Sequence, residues 1–365
     1  MRDSFAVAVA LLVTTALVGG VAGGAAGAQP TSGIGDAPEV RQTDGSDECS
    51  FPLTVTDATG EEITLEEPPE RITTTNPSAA QTLWEIGARD RVVGVTQYAA
   101  YLDGAGERTN VSAEGLGVDT EKVVGTDPDL VLAPNASADD VEPLRNAGIT
   151  VYHFPEATDV EDIAGKTTTA GRLVGECEAA AETNAEMNAA VEETRDRTAD
   201  IDRPAALYPL GSGYVAAGDT FIDELMTIGG VENVAAADHE GYPQLSAEVV
   251  LEMDPELILV NGPDAPIVNE EPYASTTAGR EGNTVVVEVQ WLNQPAPRSV
   301  IEATTTIADA VEEYNAAQES DDGNGTADAD DGSAETDDGV PGFGVVAAVL
   351  AVLATLAVGT TRRRP

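Results

Sequence analysis

The run TEKVVGTDPDLVLAPN occupies residues 120–135, and AEVVLEMDPELILVNG occupies residues 247–262, 127 positions further on. Each spells the same three parts at the same spacing: a short stretch of helical period, an Asp-Pro stop, and four apolar residues in a row. Proline ends the helix because its ring disfavours helical backbone in the residue before it. A short apolar run after such a stop reads as a strand buried on both faces, the kind found in parallel sheets covered by helices. A second echo comes in matching order, LWEIGARDRVV at 83–93 and LMTIGGVENVA at 225–235. One unit of α/β type is therefore spelled twice. With only two copies, each a whole lobe, this is not a solenoid.

The remaining patterns fill in the two units. Residues 53–55 and 63–65 alternate as a short hairpin, and 71–75, 92–95, 130–133 and 149–154 read as strands separated by helical segments at 78–86, 118–124 and about 138–147. From 158 to about 201 there is no strand signal and almost no Pro or Gly, so this stretch reads as a helix to 174 and a long one over 176–198. After Pro204 the order restarts, with strands over 205–210, 257–260 and 284–289, helices over 220–228 and 247–253, and a terminal helix from about 297. The expected architecture is α/β: two Rossmann-like lobes, 49–157 and 204–318, joined by a helical connector over 158–203 that acts as a stiff backbone, with a ligand cleft between the lobes.

Charge limits the partners. The 365 residues carry a net charge of −47, with 65 Asp plus Glu against 18 basic residues, and the only lysines are Lys122 and Lys166. No basic patch exists for nucleic acid. Periodic apolar runs exclude a wholly disordered acidic chain, so the charge fits a folded protein in very high salt, where the Debye length is roughly 3 Å at 1 M and carboxylates barely repel one another.

The two ends are membrane signals. Residues 1–28 read as a signal peptide, from Arg2 through the apolar run to AGAQ, with an N-terminal membrane anchor as the alternative. A disordered segment is expected over 29–48 and an acidic linker over 319–340. The linker leads to about 20 apolar residues, enough at 1.5 Å each to span the hydrocarbon layer, and then to Arg362–Arg364. Export also suits the two cysteines, Cys49 and Cys177, which suggest one disulfide. Three glycosylation triplets, at Asn110, Asn135 and Asn324, are compatible with an outside location.

Ligands of open α/β sheets sit beyond the carboxyl ends of the strands. The loops expected there carry Asn76, Tyr98, Tyr101 and Asn135 in the first unit, and Tyr214, Tyr242, Trp291, Asn293 and Gln294 in the second. Rings with a few amides suit a large, flat, mostly neutral ligand. Enzyme signals are weak. His153 and His239 are the only histidines, which excludes a His-rich metal site, and GSGY at 211–214 is not a nucleophile elbow. His153 reads as a core or cleft-edge residue and His239 as a loop residue.

Over 53–314 the chain resembles the substrate-binding proteins of ABC importers that have a rigid-helix hinge and carry cobalamin, haem or iron–siderophore complexes. The resemblance rests on RITTTNPSAAQTLWEIGARDRVVGVT, VDTEKVVGTDPDLVLAP, FIDELMTIGGVENVAA, YPQLSAEVVLEMDPELILV and WLNQPAPRSV. It implies a membrane-tethered receptor that is not an enzyme, with cobalamin as its cargo and a ferric chelate or haem as the alternative. It also implies an ABC permease and its ATPase as partners, docked through Glu121 and Glu248, one on each lobe. Tyr242 and Trp291 fall where cobalamin binders place aromatics, whereas Gly115 and Gln294 stand where those proteins often have Trp and Arg. The PGF at 341–343 with its apolar run and arginines is similar to the sorting tail of haloarchaeal surface proteins, which is replaced by a lipid; a permanent transmembrane helix is the alternative. A secreted hydrolase or an adhesion protein is the rival of another class.

Overall fold

The structure, a computed structural model, describes residues 49–323 apart from 116 and 264. The expected signal peptide, N-terminal segment and sorting tail, and the linker beyond 323, lie outside the described residues. Among the described residues no helix is long and apolar enough to cross a membrane.

The chain opens with a hairpin, β1 (Leu53–Thr56) against β2 (Glu62–Leu65). The first lobe then alternates β3 (Ile72–Thr74), α1 (Pro77–Glu85), β4 (Val92–Val95), β5 (Thr109–Asn110), α2 (Thr120–Gly125), β6 (Leu130–Ala133), α3 (Ala138–Asn146) and β7 (Val151–His153). Its sheet has the order β5-β4-β3-β6-β7, parallel throughout. Two helices follow, α4 (Val160–Val174) and α5 (Cys177–Arg197). The second lobe contains β8 (Ala205–Leu207), the strands β9 (Pro209–Gly211) and β10 (Tyr214–Val215), α6 (Phe221–Ile228), β11 (Glu232–Asn233), α7 (Ala247–Met253), β12 (Leu257–Val260), α8 (Thr277–Glu281) and β13 (Thr284–Val286). Its sheet, β11-β8-β12-β13, is also parallel. The chain continues through α9 (Val289–Leu292) and α10 (Pro297–Gly323).

Both echoed segments fold as α2–β6 and α7–β12, and both strands are buried along their whole length. The helices start where a side chain can accept the free first-turn amides: Asp119 caps α2 and Ser246 caps α7.

Several boundaries differ from the sequence reading for local reasons. The strand expected over 205–210 breaks after Leu207, and Pro209 opens β9, which pairs with β10 instead of the main sheet. The strand expected over 284–289 ends at Val286, and Val289 opens α9. The two-residue strands β5 and β11 are too short to show periodicity. The terminal helix runs to Gly323, past the boundary drawn at 318.

The connector is a pair of helices that belongs to both cores. Val160 and Ile163 at the start of α4 pack into the second lobe, with Met187 and Val191 of α5. Ala170, Leu173 and Val174 at the end of α4 pack into the first lobe, with Ala180 of α5. Gly175 reverses the chain between them with φ 75°, a backbone glycine adopts without strain. Cys49 and Cys177 are joined as a disulfide with Cα atoms 6.0 Å apart, tying the segment before the hairpin to the start of α5.

Candidate functional site

In the first sheet the strand order reverses between β3 and β6, and in the second between β8 and β12. The crevice at such a switch point, beyond the carboxyl ends of the strands, is where an open α/β sheet binds ligands, because the neighbouring loops there diverge. After β3 the chain turns at Asn76, whose side chain accepts from the Ser78 amide and caps α1, with Pro77 preset for the first helical turn. After β6 it turns through Pro134 and Asn135. Both turns line two adjoining cavities between the lobes.

The larger cavity, about 580 Å³, is lined by Asn76, Tyr98, Tyr101 and Ala136 from the first lobe and by Val289, Gln290, Asn293 and Gln294 from the second. The other, about 330 Å³, is lined by Asn76, Asn135, Glu156, Lys166, Phe221, Tyr242 and Asn293 among others. Asn76, Ala136 and Asn293 border both, so the two form one cleft.

The lining is rich in amides and rings and poor in charge. Tyr98 and Tyr242 are each 50% exposed and offer open ring faces. The Tyr98 hydroxyl donates to the Gly115 carbonyl at 3.4 Å. Burial and then the nearby Glu156 carboxylate push the Tyr242 hydroxyl pKa up. The Gln294 Oε1 atom is buried with no hydrogen-bond partner among the described residues. Among the described residues, Lys166 is the one lysine or arginine in the lining and Glu156 the one carboxylate.

One wall holds the lobes together. Gln81 of α1 donates through Nε2 to the Ser299 hydroxyl of α10 at 3.1 Å, both side chains buried. Tyr101 donates to Gln81 Oε1 at 2.7 Å, and its ring meets Trp291 edge-on with centroids 5.7 Å apart. Arg298 lies 5.1 Å over the Trp291 ring and donates its backbone amide to Glu85 at 3.3 Å. Burial pushes the Glu85 carboxyl up to about 7, with Arg298 pulling it back down in part.

The residues expected at the site are divided by this geometry. Asn76, Tyr98, Tyr101, Tyr242 and Gln294 line the cleft. Trp291 lines neither cavity, because it is spent on Tyr101 and Arg298 in the wall between the lobes. Tyr214 is 46% exposed on β10 and borders neither cavity, since that edge strand bridges to Gln244. His153 is buried, its amide donating to Asp57 and its Nδ1 lying 3.0 Å from the Ala133 carbonyl. His239 lies outside both cavities. Asn135 lines the cleft, so a glycan there would obstruct it. Glu121 and Glu248 are exposed in the first turns of α2 and α7.

Lys166 was not among the residues expected at the site, and neither were Gln290 and Glu156. Lys166 lies on α4 between Ile163, which packs into one core, and Ala170, which packs into the other, and this puts it at the lobe junction. The signal available was its rarity, as one of two lysines, on the helix that joins the lobes.

Residues 72–290 match the periplasmic binding protein family. A cobalamin-binding protein of Halobacterium salinarum is 43% identical over 296 residues, covering 77% of this chain and 80% of that protein. Among solved structures, the periplasmic vitamin B12 binding protein of Vibrio cholerae superposes with a TM-score of 0.58 at 23% identity, covering 67% of this chain and 98% of that one. The periplasmic heme-binding protein of Roseiflexus superposes with a TM-score of 0.60 at 22% identity, covering 66% and 99%. These two structures share the fold of the two lobes and their helical connector.

Proposed function

The chain belongs to the periplasmic binding protein family, and on that premise we propose that it is an extracellular receptor of an ABC importer that captures cobalamin between its lobes. The composition of the cleft carries the reading. Cobalamin is a broad, flat corrin fringed with carboxamides. A lining of Asn76, Gln290, Asn293 and Gln294 with the rings of Tyr98, Tyr101 and Tyr242 offers amides to amides and ring faces to a flat edge. The named activity of the Halobacterium salinarum relative supports it. A ferric chelate or haem is the second reading, favoured by the single positive charge of Lys166, which suits a carboxylate.

Delivery completes the proposal. Glu121 and Glu248 each project from the first turn of a short helix, one per lobe at equivalent places in the echoed segments, where a pair of permease arginines would meet them. The receptor stays near its permease through the C-terminal apolar run, as a transmembrane helix or after exchange for a lipid.

The test titrates the full-length chain, solubilised in detergent at high salt, with cyanocobalamin, haemin and a ferric siderophore. A saturable spectral change and a thermal shift with cyanocobalamin alone is the expected result; a response confined to haemin or the siderophore would replace the cargo. Converting Glu121 and Glu248 to Gln together is expected to leave binding unchanged and to reduce cobalamin uptake by cells at least about tenfold, since each lost pair removes one to several kcal/mol of docking energy. Unchanged uptake would remove the docking role.

A further inference from the structure

The smaller cavity has an electropositive end. Lys166 enters it from the middle of α4, and it also lines the adjoining pocket formed by Ser78, Thr82, Leu132 and Phe154. Among the described residues no carboxylate lies within ion-pairing distance of its ammonium. Asp162, one turn earlier, is the group whose field favours the charged form, but its carboxylate is engaged by the amide and hydroxyl of Thr158. Burial outweighs it and pushes the ammonium pKa down to about 8. A partly buried charge that has no ion-pair partner is stabilised when a ligand brings an anion to it.

A second observation points to the same place. The first turn of α6 lines this cavity through Phe221 and Ile222, and the first turn of α1 through Ser78. Asn76 accepts from the Ser78 amide and Thr220 from the Asp223 amide. Among the described residues no acceptor meets the amides of Phe221 or Ile222. Free first-turn amides and the positive ends of two helices favour an anion. The opposing charges are Asp219 just before α6, Asp223 and Glu224 in its first turn, and Glu156 at the rim beside Tyr242; Asp223 faces Asn233 at 2.9 Å and Glu224 pairs with Arg195 at 3.1 Å.

We propose that Lys166, with the first-turn amides of α6 and the positive end of α1, forms a subsite for an anionic oxygen group of the bound ligand, and that in cobalamin this group is the phosphodiester of the nucleotide tail. The inference rests on the cobalamin reading and names the part of the ligand that this end of the cleft holds. It also orients the cargo: the corrin face lies toward Tyr98 and Gln294, and the tail lies toward Lys166. Lys166 then separates corrinoids that carry the tail from those that lack it.

The experiment compares the wild-type full-length chain with Lys166→Gln and Lys166→Arg, titrating cyanocobalamin, the tail-less corrinoid dicyanocobinamide, and haemin. Lys166→Gln is expected to weaken cyanocobalamin at least about tenfold, the loss typical of a charge-assisted hydrogen bond. Its affinity for dicyanocobinamide should stay within about twofold, which also shows that the variant is folded. Lys166→Arg should recover most of the loss. An equal loss for both corrinoids, or none for either, overturns the subsite and leaves the cobalamin reading standing. A wild-type chain that binds neither corrinoid overturns both. A loss confined to haemin assigns Lys166 to a propionate and overturns the phosphodiester assignment.

Discussion

The Asp57 side chain is fully enclosed and still holds its charge. Burial alone would push its carboxyl up, but hydrogen bonds from Thr59, the His153 amide and Arg145 outweigh that and hold it below the ordinary carboxylate range. It ties the first hairpin to the end of β7 and to α3 through Arg145. Replacing Asp57 with Ala leaves the Arg145 guanidinium without its buried partner, and the expected loss is about 3–5 kcal/mol in denaturant unfolding. Because the folded pKa is depressed, this contribution is present above the unfolded value near 3.8 and is lost as pH falls through the folded one. The wild type should therefore lose stability below about pH 4 more steeply than Asp57→Ala, and parallel acid profiles would show that the network carries little. None of this was legible beforehand: nothing in DATGEE says that its Asp will meet an arginine 88 positions later. Lys166 escaped for the same reason. Its type could be read, but not its place at the junction of the two lobes.

Elements were more legible, because their signals are local. Caps, Asp-Pro stops and apolar runs placed the two echoed helix–strand pairs to within a residue or two. The connector was legible as two helices, one ending at 174 and a long one after it, but that the pair serves both cores is a matter of packing. They approach closely at Gly171, where a Cβ would lie 2.5 Å from the Cβ of Ala180 and 3.0 Å from the Glu176 carbonyl. Alanine is the better helix former by about 1 kcal/mol, whereas forcing α4 and α5 apart costs about 1–3 kcal/mol. Gly171→Ala should thus be destabilising by about 1 kcal/mol despite its helix propensity. A rise in thermal midpoint would mean that the pair separates freely. Since the same two helices fill both cores, the lobes should rock rather than swing. X-ray scattering should show the radius of gyration changing by less than about 1 Å when cobalamin binds, in contrast to a wide hinge closure.

At the scale of the whole molecule, charge sets the working conditions. A chain with a net charge of −47 repels itself, and salt screens that repulsion. The exposed ion pairs, such as Arg197 with Asp309 and Glu312, are weakened by the same screening, but such pairs contribute only about 0–1 kcal/mol each. Repulsion should prevail, so the thermal midpoint should rise as KCl goes from 0.1 M to 3 M. A fall would mean that the pairs outweigh the net charge.

The sequence by itself determined that two α/β units would form and that helix would join them, because a strand's burial and a helix's ends are encoded by neighbours a few positions apart. It also brought Asn76, Tyr98, Tyr101, Tyr242 and Gln294 to loop positions beyond the strands. Tertiary structure alone decided which of the expected residues line the cleft, that Trp291 packs against Tyr101 and Arg298, that Tyr214 lines neither cavity, and that Lys166 is partly buried beside two helix ends. Those outcomes depend on where segments far apart in the chain come to rest against one another, and a side chain's solvation and field are properties of that arrangement.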